Sequence, residues 1–86
     1  GKAWADALQF AAADGRQTNR GLIYNDIDRF DDAIRNLDAA LQDRPDDITA
    51  LVARAEAHLH GRGDPAKCIR DCTSAIKIDP DIAVIY

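Results

Sequence analysis

Apolar residues recur at every third or fourth position along this chain, in runs of roughly ten to fifteen residues parted by turn formers. That spacing is one face of an α-helix. One such face is Phe30, Ala33, Ile34, Leu37, Ala40 and Leu41, and another is Cys68, Ile69, Cys72, Ala75 and Ile76. Turn signals stand at Gly15, Asp26–Asp28, Pro45-Asp46-Asp47, Gly61–Pro65 and Asp79-Pro80-Asp81, where glycine, proline and aspartate favour turns over helix interiors. The pattern predicts helices over 2–14, 17–27, 30–44, 48–61 and 65–78, with a sixth opening near Ile82. Asp64-Pro65 reads as an N-cap followed by proline at the first helical position, where a missing N–H costs nothing. Pro45 and Pro80 end the helices before them, and connections this short make neighbouring helices antiparallel.

The pattern repeats. A shift of 35 residues pairs Ile34 with Ile69, Arg35 with Arg70, Ala40 with Ala75, Pro45 with Pro80 and Asp46 with Asp81, five identities in the fourteen positions from Ala33 to Asp46. The preceding helices align at a shift of 34, with Arg20 on Arg54, Gly21 on Ala55 and Tyr24 on His58. The difference of one residue is expected as an extra position in the Gly61–Asp64 turn. A period of this length with two helices per unit describes stacked helical hairpins. The small residues Gly21, Ala33, Ala40, Ala55 and Ala75 let helix axes approach closely, while Tyr24, Phe30 and Leu37 fill the gaps.

On these residues the chain resembles the tetratricopeptide repeat family. The first unit runs from Gly21 through Tyr24, Phe30, Ala33, Ala40 and Leu41 to Pro45, and the second keeps Leu51, Ala55, Cys68, Ala75 and Pro80 in matching places. Pro65 departs from the pattern where an aromatic is usual, as do Gln17 and Arg20 at places normally apolar. The resemblance implies an all-α fold of antiparallel helical hairpins stacked as a short right-handed α-solenoid. It divides a single domain over 1–86 into an N-terminal helix in 1–15, a first repeat over 17–47, a second over 48–81, and the start of a third pair or a C-terminal cap at 82–86. Trp4, Ala7, Leu8 and Ala11 share one face of the N-terminal helix, which reads as a cap on the first hairpin or as the second helix of a degenerate preceding unit.

Composition narrows the classes. Apolar residues make up 47% of the chain, but sixteen of them are alanine and valine is scarce, which suits closely packed helices and argues against a sheet. No window approaches the length of a transmembrane helix, and a net charge of −4 gives no basic footprint for nucleic acid. Without methionine and starting at Gly1, the chain reads as an excised segment or processed product. Two unpaired cysteines favour the cytoplasm slightly, with a periplasmic or secreted location left open because any targeting signal would lie upstream of Gly1.

Reactive chemistry finds little support. His58, His60, Cys68 and Cys72 invite a zinc reading, but two helical residues two apart point about 200° apart, and Cys68 and Cys72 belong to the expected core face as buried thiols. The aspartates from Asp26 to Asp32 fail as an EF-hand, since Phe30, Asp31 and Leu37 occupy a ligand place, the glycine place and the closing glutamate place; they suit a turn and a helix N-terminus. Arg62-Gly63-Asp64 spells an adhesion tripeptide that a turn and an N-cap explain equally well. The single serine, Ser74, has no histidine within helical reach, so no nucleophile, base and orienting group can be named. The expectation is a protein that is not an enzyme and carries no cofactor or metal.

By analogy with the family, the first helix of each unit lines a concave groove. That places Thr18, Asn19, Leu22, Asn25 and Asp26 beside Thr49, Val52, Ala53, Glu56, Leu59 and His60, an apolar floor with polar and acidic surroundings suited to a protein or peptide partner. Members that grip a C-terminal carboxylate use asparagines where this chain has Leu22 and Ala53, and Asp26 and Glu56 would repel such a ligand. The alternative to peptide binding is self-association through the apolar ending Ile82-Ala-Val-Ile-Tyr86, or service as a spacer or the regulatory part of an enzyme.

Overall fold

A computed structural model describes residues 16–81. The helix expected over 2–14 and the one opening at Ile82 lie outside the described residues. Within them the chain is all-helical, with α1 at Arg16–Asp26, α2 at Phe30–Asp43, α3 at Ile48–Glu56 and α4 at Pro65–Ile78. These bounds fall within a residue or two of those expected, except that α3 gives way to a π-helical turn over Ala57–Gly61.

The caps explain the boundaries. Asp47 accepts a hydrogen bond from the Ala50 N–H at 3.1 Å, and Asp64 accepts one from the Lys67 N–H at 3.2 Å with Pro65 at the first helical position. α2 has no side-chain cap, but Asp31 and Asp32 lie in its first turn, where carboxylates oppose the helix dipole. At the other end of α2 and of α4, the Arg44 and Asp79 N–H groups close onto Ala40 and Ala75 carbonyls before Pro45 and Pro80.

The two hairpin turns are built alike. Asp28 and Gly63, 35 residues apart, hold φ of +60° and +59°, and each is followed by one residue and then a helix. In the first turn the Arg29 N–H donates to the Tyr24 carbonyl; in the second the Asp64 N–H donates to the His58 carbonyl. The second closure spans one residue more. The extra position is therefore absorbed inside the helix as the π turn and not, as expected, in the Gly61–Asp64 turn. A single-residue insertion in a helix is accommodated by widening one turn to i→i+5 spacing.

Contacts fix the arrangement. Arg54 reaches Asp38 and Arg62 reaches Asp31, so α3 and its π extension run antiparallel to α2. Thr18 donates to Asp47 at 2.8 Å and Asn25 to the Ala53 carbonyl at 3.0 Å, so α1 and α3 run parallel. α4 packs on α3 and the π turn. The result is a helical repeat-like all-α fold. Its core is Ala33, Ile34, Leu37, Ala40 and Leu41 of α2 against Ala50, Leu51, Ala53 and Ala57, joined by Ala75 of α4. Gly21 meets Leu37 so closely that a Cβ there would lie 2.4 Å from Leu37 Cγ, the close approach that the glycine permits.

One expected core face is not a core face. Of Cys68, Ile69, Cys72, Ala75 and Ile76, only Ala75 is buried; the two thiols are half-buried and the isoleucines exposed. The buried polar residue of α4 is Asp71.

Candidate functional site

The residues expected to line a groove divide into two groups. Asn19, Leu22, Asp26, Thr49, Glu56, Leu59 and His60 are exposed, with Leu22 and Leu59 leaving 37% and 42% of their surface in solvent. Val52 is half-buried and packs against the core. Thr18 and Ala53 are buried and drop out as partner contacts. Thr18 and Asn25 instead act as struts seven residues apart, two helical turns, each tying α1 to α3 by one hydrogen bond. The buried Asn25 Oδ1 has no partner among the described residues. A polar residue facing a neighbouring helix at this spacing looks the same in sequence as one facing a ligand.

The remaining expected groove residues lie on α1 (Asn19, Leu22, Asp26), on α3 (Thr49, Val52, Glu56) and on the π turn (Leu59, His60), and Leu22, Val52 and Leu59 are the apolar ones among them.

A second cluster was not foreseen. Arg54 forks onto Asp71, with Nε to Oδ2 at 2.8 Å and Nη2 to Oδ1 at 2.7 Å, and its Nη1 reaches Asp38 at 2.8 Å. The Asp71 hydrogen bonds, ahead of the opposing effect of burial, raise the Arg54 pKa further above its ordinary value. One residue thus joins α2, α3 and α4. The clue lay in the repeat: Arg20 stands where Arg54 does, and Asn36 where Asp71 does. Beside this clamp a cavity of about 240 Å³ is bordered by Ile34, His58, Lys67 and Arg70. Burial lowers the His58 pKa, which keeps the imidazole neutral near pH 7.

The residues that invited metal or nucleophile readings do not converge. His58 is buried and His60 exposed, and no group of three ligating side chains assembles among the described residues. The Ser74 hydroxyl donates to the Arg70 carbonyl of its own helix. Burial, then Cys68, raises the Cys72 pKa, which disfavours the nucleophilic thiolate. No helix among the described residues is long and apolar enough to cross a membrane.

Compared with models of known protein families, with curated proteins and with solved structures, the chain matches none.

Proposed function

We propose that this chain is a protein-interaction module, a short right-handed solenoid of the tetratricopeptide kind that holds a peptide segment of a partner along the first helices of its two units. The observation that carries the reading is the exposure of Leu22 on α1 and of Leu59 on the π turn that continues α3, with α1 and α3 held side by side by two hydrogen bonds. Apolar side chains left in water on a braced surface gain free energy when a partner covers them, by about 25 cal/mol per Å² removed from solvent. Internal repetition, the parallel course of α1 and α3, and the antiparallel course of α2 and α3 support the solenoid. The ligand is an extended or helical peptide with two or three apolar anchors and a lysine or arginine opposite Asp26 and Glu56.

Selection of peptides from a random library on the immobilised chain tests this. Recovered peptides should carry apolar anchors with a basic residue. Their binding should be lost in the double variant Leu22→Glu, Leu59→Glu, while its circular dichroism and melting temperature stay within about 2 °C of the parent, as for surface changes worth under about 0.5 kcal/mol. Val52 is left intact because it touches the core. Peptides that bind the double variant as well as the parent would overturn the assignment.

A further inference from the structure

The cavity of about 240 Å³ beside the Arg54 clamp is walled by α2, α3 with its π turn, and α4. Four of its side chains are cations, Arg54, Arg62, Lys67 and Arg70, against two carboxylates, Asp38 and Asp71, in a chain whose overall charge is −4. The carboxylates are already engaged. Asp71 gives both oxygens to Arg54, and Asp38 gives it one. Arg62 holds Asp31. Lys67 and Arg70 are in no ion pair among the described residues.

The first unit shows how such an arginine is ordinarily matched. At the shift of 35, Arg35 stands where Arg70 does and Asp32 where Lys67 does. Asp32 pairs with Arg35 and with Arg29, so that charge is neutralised on its own helix. In the second unit a lysine replaces the carboxylate, and two cations one helical turn apart repel each other with no counterion between them.

The cavity also holds an unsatisfied buried group. His58 borders it and is 6% exposed, and its Nδ1 has no hydrogen-bond partner among the described residues. A neutral imidazole that carries its proton on Nδ1 donates from there to an acceptor. Burial, ahead of the charges of Lys67, Arg54 and Arg62, lowers the His58 pKa against the opposing effect of Asp71, so the cations act on the same imidazole. The cavity is smaller than the roughly 300–1,000 Å³ of sites that enclose drug-sized ligands, which restricts the occupant to a small anionic group. A carboxylate brings one charge and two oxygens. A phosphate monoester brings about −1.5 to −2 and three acceptor oxygens, the closer match to two unpaired cations and an imidazole donor.

We propose that the cavity between α2, α3 and α4 binds a phosphate group, its charge held by Lys67 and Arg70 and one oxygen accepting a hydrogen bond from His58 Nδ1. Free phosphate and a phosphorylated side chain present the same group. Lys67 and Asp71 lie on the side of α4 away from Ile69 and Ile76, so the site is separate from the face those isoleucines present. It is also distinct from the residues around Leu22 and Leu59 and does not depend on the peptide reading.

The chain has two histidines, which makes the test direct. NMR of the imidazole nitrogens during titration with inorganic phosphate should show the His58 signals move and its pKa rise toward the ordinary value, because a neighbouring anion favours the imidazolium. The His60 signals should stay in place. Lys67→Asp, which installs the carboxylate of the first unit, should weaken binding by about tenfold or more without lowering the melting temperature, since Lys67 is exposed. Lys77→Gln removes a cation of α4 that does not line the cavity and should leave binding unchanged. Tighter binding of inorganic phosphate than of N-acetyl-phosphoserine amide identifies the free ion as the ligand, and the reverse order identifies a phosphorylated side chain. The proposal is overturned by a stationary His58, by equal movement of His60, or by acetate acting as phosphate does. It is equally overturned if Lys67→Asp binds as the parent does, or if Lys77→Gln weakens binding as much as Lys67→Asp.

Discussion

The two hairpins are related in sequence and placed in unlike surroundings, and their differences separate what a residue type imposes from what a neighbour imposes. Ile34 and Ile69 are the same residue at the same repeat position, yet one is 5% and the other 64% exposed. Nothing intrinsic to isoleucine distinguishes them. α2 lies between α1 and α3, whereas α4 has α3 on one side and no described helix on the other. Leu37 and Cys72 make the same contrast with a change of size: the leucine is fully buried against Gly21, the cysteine half-buried.

The largest expected effect breaks this comparison at its core. Leu37→Ala should cost about 3 kcal/mol, through lost transfer energy and the cavity left against Gly21. Cys72→Ala should cost under about 1 kcal/mol, since the thiol is small and already half in solvent. Urea denaturation of both variants measures the pair, and similar losses would mean that α4 is covered to the same degree as α2.

Arg54→Met comes next. It leaves Asp71, only 4% exposed, without its guanidinium partner, and should destabilise by about 2 kcal/mol, less than for a fully buried pair because Arg54 is partly solvated. Arg20→Met, the same change in the first unit, should cost under about 0.5 kcal/mol, because no ion-pair partner binds Arg20 among the described residues. Thermal melts of the two variants check the difference.

The turns sharpen the comparison at smaller scale. A Cβ on Gly63 meets nothing within 4 Å, so Gly63→Ala isolates the cost of a left-handed backbone, about 1 kcal/mol. Asp28→Gly at the matching turn should change stability by less than about 0.5 kcal/mol, as relief of the positive φ is offset by the freer unfolded chain.

The smallest effect is a pH dependence confined to the second unit. The folded His58 has a pKa below its unfolded value, so the unfolded state binds the extra proton first as pH falls. Its contribution is fully present above the unfolded pKa of about 6.5 and is lost progressively below it. The melting temperature should fall between pH 7 and pH 5.5, and His58→Tyr, which installs the residue of the first unit, should flatten that slope. An unchanged slope would mean that His58 takes up its proton equally in both states.

Much of the fold was legible because helix-forming signals are local. The N-caps Asp47 and Asp64, the stops at Pro45 and Pro80, and the face from Ala33 to Leu41 each depend on residues within a turn or two. The misplaced insertion has an equally local cause. Counting shows that one residue is extra, but a turn and a widened helix absorb it alike, and only the π-helical turn at Ala57–Gly61 distinguishes them. The candidate groove residues were legible in part. Leu22, Leu59, Asp26 and Glu56 lie at the surface, but Thr18 and Ala53 share their spacing and point into the α1–α3 seam. The Arg54–Asp71 clamp joins residues on different helices, so periodicity within one helix could not reveal it.

By itself, then, the order of residues determined where helices begin and end, that they come in pairs, and that the pairs repeat, because hydrogen bonding and capping act over a few positions. Tertiary structure decided which copy of each repeated face is covered. It also decided where the thirty-fifth residue is housed, and which charges on separate helices meet. Burial and ion pairing are properties of a residue's neighbours in space, and matching positions of two repeats can have different ones.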